Sequence, residues 1–231
     1  MVDVDWWAPL GDAGRLEIHE PLAPEEVQRR LAASAEVDVP LGRAEVGDHV
    51  VEFVARGRTR LARTSASTVG LLDLSAPPAP GGGFQRPVTL LGATGEAVRH
   101  EDDARGSRLR GALRYLRLTL GARVWAWHYT GGRAAGERLV LVPGGHPSGA
   151  APRVVTHPSA RGRSWGNPTG GASAETHVTT WTPDASAAEV LLVELLATTW
   201  LGAVVDYRAA RIAGGFGELL ASAPKPDANT T

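Results

Sequence analysis

The stretch from Glu189 to Tyr207, "EVLLVELLATTWLGAVVDY", restricts what this chain can fold into more than any other part of it. Between residues 190 and 205 the only polar side chains are Glu194, Thr198 and Thr199, so a helix here is apolar on nearly every side. Asp184 or Ser186 supplies an N-cap, Glu189 falls in the first turns, Arg208 and Arg211 lie near the end, and Gly214-Gly215 stops the pattern. These signals predict a helix of roughly 28 residues, about 40 Å long at a rise near 1.5 Å per residue.

A charge at Glu194, in the middle of so short an apolar run, is costly for a membrane-spanning helix, which makes burial within protein the expected fate. Glu194, Thr198, Gly202 and Asp206 recur every fourth residue and give the helix one narrow polar seam. A helix that is apolar elsewhere belongs in the middle of a core, enclosed by other elements on several sides. A buried carboxylate must be paired or neutral, so Glu194 is expected to meet an arginine or a polar strand group. Glu194→Gln should then change how stability depends on pH, and an unchanged dependence would put the residue at the surface.

The remaining sequence supplies the wrapping. Alternating apolar and polar positions predict a strand over 14–22, then further strands at 48–56, 58–64, 67–74, 122–130, 138–143, 152–156 and 175–182. Residues 86–100, "RPVTLLGATGEAVRH", predict a hairpin turning at Gly92-Ala93-Thr94-Gly95. An amphipathic helix is expected over 23–37, with Pro24 in its first turn and Val27, Leu31 and Ser34 on one face. "SRLRGALRYLRLTLGARVW" fits both periods; helix to about residue 119 is the favoured reading, then strand. The 28 glycines and 16 prolines agree with many turns. The expected architecture is α+β: a curved antiparallel sheet or barrel enclosing a long hydrophobic C-terminal helix, with a short N-terminal helix. It forms a single domain over 1–221, and the polar tail 222–231 is expected to be disordered.

The hairpin "VTLLGATGEAVRH" and the segment "WTPDASAAEVLLVELLATTWLGAVVDY", following many short strands, resemble the tubby C-terminal and LURP-one-related group, to which the phospholipid scramblases belong. That resemblance rests on pattern over the last third of the chain and implies a β-barrel closed around a hydrophobic C-terminal helix. The early helix at 23–37 and the Arg-rich segment at 105–117 depart from it. The order "LEIHEPLAPEEVQRRLAAS" instead resembles a START-like helix-grip fold, in which a strand and helix precede a curved sheet gripping a long C-terminal helix. Both place Val190 to Val205 in the core.

Charge and composition exclude several functions. A net charge of -1 argues against a surface that is basic throughout. The absence of cysteine removes disulfides, thiolate metal sites, Fe–S clusters and cysteine nucleophiles. Lys225 is the only lysine; with abundant Ala, Gly and Val, this is the composition of a high-GC bacterial genome. The N-terminal residues carry no basic segment followed by an apolar one, so a cytoplasmic protein is expected. "GGRAAG" at 131–136 lacks the Lys-Ser/Thr of a phosphate loop and reads as a hairpin turn. "HEDD" at 100–103 reads as a solvated turn, and His128, His146, His157 and His177 as separate strand and loop residues, so neither a metal nor a cofactor is expected. No enzyme signature is present.

The strongest functional signal is positive charge between Arg99 and Arg133. Eight arginines there face three carboxylates, Glu101, Asp102 and Asp103, a local net charge of +5. Arg108, Arg110, Arg114 and Arg117, interleaved with aromatic residues, suit phosphate groups through bidentate hydrogen bonds and stacking. The expected function is a non-enzymatic binding or scaffold domain that contacts lipid or another anionic partner through this patch, without spanning a membrane or reading a nucleic-acid sequence. The alternative is a START-like small-molecule-binding protein or cofactor-free enzyme, with Trp125, Trp127, His128, Trp165, His177 and Trp181 around a pocket for a small apolar ligand.

Overall fold

A computed structural model describes residues 5–19, 22, 24–46, 49–75, 85–102, 113–132, 136–148, 150–158 and 176–197. Its strands are β1 (Gly14–His19), β2 (Asp38–Val46), β3 (His49–Arg56), β4 (Thr59–Arg63), β5 (Thr68–Asp73) and β6 (Gln85–Leu90). They continue with β7 (Ala93–Asp102), β8 (Leu113–Leu120), β9 (Arg123–Gly132), β10 (Gly136–Pro143), β11 (Val154–Pro158) and β12 (Thr176–Trp181). Two helices, α1 (Pro24–Ala33) and α2 (Ala187–Ala197), complete the described fold. From β2 to β12 every strand pairs antiparallel with its neighbour in sequence, and β1 pairs with β12. β1 also comes within 8 Å of β2, Cα to Cα, so the sheet is a nearly closed barrel.

Short turns favour this meander because they join only antiparallel neighbours. The β6–β7 turn is two residues, Leu91 at φ 51° and Gly92 at φ 78°, the paired positive values of a type I′ hairpin. The expected turn at Gly92-Ala93-Thr94-Gly95 is therefore displaced: Ala93 to Gly95 belong to β7. Gly95 serves clearance instead, since a Cβ there would lie 1.7 Å from the Thr119 carbonyl oxygen of β8.

Alternation places one set of side chains inside. Leu116, Leu118 and Leu120 of β8 are at most 1% exposed, and Trp125, Trp127, Leu139 and Leu141 of β9 and β10 continue that layer. This corrects the helix favoured through residue 119: residues 113–120 are strand, and the period of two prevails because Leu116, Leu118 and Leu120 must all reach one core. Residues 103–112 lie outside the described residues. β2 went unpredicted. Val39 and Leu41 face the core at odd positions and Ala44 and Val46 at even ones, because a bulge between Pro40 and Gly42 resets the alternation.

α2 fills the barrel. All eleven of its residues are buried, and it packs against β2, β4, β5, β11 and β12. Gly70 of β5 lets it approach: a Cβ there would meet Ala62, Leu90 and the Leu195 methyl at 3.1 to 3.4 Å. Ser186 is the N-cap. Its Oγ accepts from the Glu189 N–H at 3.2 Å while Glu189 Oε2 accepts from the Ser186 N–H at 2.8 Å, a reciprocal capping box. Glu194 is fully buried, as the expected enclosure requires. The continuation of this helix past Ala197 and the tail at 222–231 lie outside the described residues. Among the described residues no helix is long and apolar enough to cross a membrane.

Outside the barrel, an open cleft of about 320 Å³ over β2, β3 and β4 is lined by Asp38, Pro40, Arg43, Glu52, Val54 and Arg63, among others. Its charges are internally matched: Asp38 accepts from Arg56 at 2.7 and 3.0 Å and from Arg63 at 2.6 Å. The hydrogen bond from Arg56, then the nearby Arg63 charge, hold the Asp38 carboxyl below its ordinary 3.8. A lowered folded-state value means that this pair stabilises the fold above pH 3.8 and loses its contribution as the pH falls through the depressed value. Asp38→Asn should therefore cost about 0.5–1 kcal/mol at neutral pH, the range of partly exposed pairs. Urea titrations should show the gap between variant and parent closing at acid pH.

Candidate functional site

The barrel has two unlike ends. At the near end lie the residues before β1, the start of α2, and the short β2–β3, β4–β5, β6–β7 and β8–β9 turns, with 144–153 between β10 and β11. At the far end lie the connection holding α1, the β3–β4 turn, the ends of β5, β7, β9 and β11, and the starts of β6, β8, β10 and β12.

Arginines occupy inward positions at the far end. Arg60 of β4 stands in register with Ala55 and Leu72, Arg86 of β6 with Ala97, and Arg99 of β7 with Leu116, each partner a core residue except for its place near the rim. An inward-pointing cation at a core position is unusual, since burial penalises the charged form. Burial pushes the Arg60 guanidinium down to about 10, and Arg60 donates to the Gly57 and Thr59 carbonyl oxygens at 2.9 and 3.2 Å. Arg86, 8% exposed, donates to the Gln85 carbonyl at 2.7 Å. Its pKa is lowered by burial first and by the Arg58 charge, with Asp73 opposing. Arg58 and Arg99 are exposed at the rim.

These positions, in the β3–β4 turn and on β4, β6 and β7, make one basic stretch of the rim, here called the vestibule. Its arrangement supplies N–H donors and positive charge, with Arg86 buried and Arg60 half-buried, and an anionic group gains more beside partly buried donors than on an open surface. Arg114 stands on β8 at this same end, opposite Glu101 of β7. Arg117, by contrast, is exposed on the outward face, in register with Val98 and Ala126, so a strand divides the two residues that a helix would have aligned. Arg108 and Arg110 lie outside the described residues, between β7 and β8 in sequence.

The expected pocket set is divided. Trp125 and Trp127 face inward at 3% and 0% exposure, and Trp181 is half-buried against Gly14. His128 takes the opposite, outward face, beside Tyr115 in register. His177 is placed by its backbone on β12, opposite Ile18, and Trp165 lies outside the described residues. Trp127 Nε1 is buried and meets no acceptor among the described residues.

Two groupings were not singled out from the sequence. On the outward face, Tyr115 is stacked by His100 at 5.4 Å and met edge-on by His146 at 5.5 Å. Among the described residues no three His, Asp or Glu side chains are grouped to hold a metal ion. At the near end, buried Glu189 accepts from Trp125 Nε1 at 2.7 Å, Arg153 at 3.1 Å, and the Ser186 N–H and hydroxyl at 2.8 and 3.1 Å. The Ser-x-x-Glu spacing at 186–189 carried part of that signal; the partners Trp125 and Arg153 are distant in sequence and left none.

No protein-family model, curated protein or solved structure matches this chain.

Proposed function

We propose that this chain is a non-enzymatic binding domain whose basic vestibule takes an anionic group, such as a lipid headgroup or another phosphate-bearing partner. The observation that carries this reading is Arg60, a guanidinium held at an inward position at an energetic cost, with Arg58, Arg86 and Arg99 at the same rim. The resemblance to the tubby C-terminal and LURP-one-related group, which implies a barrel closed around an apolar helix, belongs to the same reading.

Flotation with phosphatidylcholine vesicles, with and without phosphatidylserine, tests the proposal. The chain should float only with the anionic vesicles, and less at high salt because exposed charges are screened. Arg58→Glu with Arg99→Glu, both at exposed positions, should weaken binding by about tenfold or more, since each reversal turns an attraction into a repulsion. Indifference to lipid charge, or binding untouched by the double reversal, would sink the reading.

The buried Trp127 indole N–H favours a second reading, in which a small molecule with an acceptor group shares the interior with α2. Native mass spectrometry beside the denatured mass decides it. Extra mass lost on denaturation is the expected result for a ligand-binding protein, and a bare chain removes this reading.

A further inference from the structure

At the near end, opposite the vestibule, the segment from Asp5 to Leu10 crosses the start of α2 and the mouth of the barrel. Its main chain is held as a bound peptide is held. The Trp6 carbonyl accepts from the Ala188 N–H at 2.8 Å, filling one of the donors left open in the first turn of α2. The Leu10 N–H donates to the Ala185 carbonyl at 2.8 Å and the Gly11 N–H to the Pro183 carbonyl at 2.9 Å, and Pro9 and Ser186 form a bridge between those contacts. Its side chains fill two aromatic seats: Trp6 stacks on His49 at 4.4 Å, and Trp7 stacks on Trp125 at 6.1 Å with the Arg123 guanidinium 4.2 Å from the Trp7 ring. Main-chain hydrogen bonds with adjacent side-chain seats are the means by which folded domains recognise extended peptides.

The tether to β1 is short and exposed. Gly11, Asp12 and Ala13 between it and β1 are exposed, and Gly11 has φ 82° with open space where a Cβ would be. Once the Gly11 hydrogen bond to Pro183 and the Pro9–Ser186 bridge open, the exposed residues up to Gly14 let the strap lift without disturbing the pairing of β1 with β12.

We propose that the near end of the barrel is a peptide-docking site occupied in cis by this strap, and that its partner is a peptide with two adjacent aromatic residues, the first presenting its carbonyl to Ala188. The strap lowers the apparent affinity for such a peptide by the fraction of time that it occupies the seats. This inference is independent of the vestibule, which lies at the other end.

The test uses the full chain and a fluorescent peptide of residues 2–11, "VDVDWWAPLG". Fluorescence anisotropy should show the Trp6→Ala/Trp7→Ala chain binding this peptide about tenfold or more tightly than the parent does, because the cis competitor is weakened. Loss of about tenfold in affinity is expected when the peptide carries alanine in place of its second tryptophan. A folded double variant that binds no better than the parent overturns the proposal. Hydrogen exchange of the unaltered chain gives a second test should the variant not fold. The Leu10, Gly11 and Ala188 amides should exchange about a hundredfold faster than those of Leu118 and Trp127, through local opening of the strap. Exchange at the same rate as those core amides would make the strap an inseparable part of the barrel and overturn the proposal as well.

Discussion

Glu189→Ala is expected to lower the unfolding free energy by about 2–4 kcal/mol, from a buried indole N–H left without its acceptor and a lost half of a helix cap. For a chain of this size that corresponds to a fall in Tm on the order of 10 °C. The carboxylate is 2% exposed and takes hydrogen bonds from three residues, Trp125, Arg153 and Ser186. Truncation leaves the Trp125 indole N–H without its acceptor in a dry site, removes half of the capping box, and strips Arg153 of its buried partner while its bridge to Asp184 at 3.3 Å remains. Trp125→Phe keeps most of the ring and removes only the N–H. A double-mutant cycle between the two should give a coupling of about 0.5–3 kcal/mol, as residues in one network do. Denaturant unfolding of the four chains measures it, and additivity would mean that Trp125 and Glu189 act separately.

Gly95→Ala should cost about 3 kcal/mol, the upper range for overpacking, because the clash is with backbone. The added Cβ would lie 1.7 Å from the Thr119 oxygen and 2.6 Å from its carbonyl carbon. No side-chain rotation relieves that contact; β7 and β8 must separate or shift register. Gly92→Ala is the comparison. Gly92 has φ 78° and open space around it, so alanine there meets only the left-handed backbone penalty of about 1–2 kcal/mol. If thermal melts rank Gly92→Ala as the more damaging change, the close approach of β7 and β8 at Gly95 is not what selects glycine.

Elements with an unbroken period were legible in the sequence. The start of α2 is marked by Ser186 and Glu189, and its enclosure follows from an apolar surface on all sides, which only a surrounding sheet can cover. Strands β3, β4, β5, β9, β10 and β12 fall near their expected places because each keeps its alternation. β2 escaped notice because the Pro40–Gly42 bulge breaks the alternation in one dimension while preserving it in three. β8 was misread because Leu113, Leu116 and Leu120 satisfy a helix as well as Leu116, Leu118 and Leu120 satisfy a strand. Pairing with β7 and β9 decides between them.

The sequence by itself determined that an apolar segment would be surrounded by antiparallel strands, since hydrophobic period and turn chemistry are local properties. It also located an excess of arginine in one stretch. Which arginines share a site was a tertiary matter. Arg60, Arg86 and Arg99 lie on different strands, and only the register of the sheet brings their inward positions to one rim while sending Arg117 outward. The joining of Trp6 and Trp7 to His49, Trp125 and Arg123 likewise depends on where the chain's first residues meet the start of its last described helix. Contacts between residues distant in sequence leave no periodic trace, because they depend on which strands the sheet brings together.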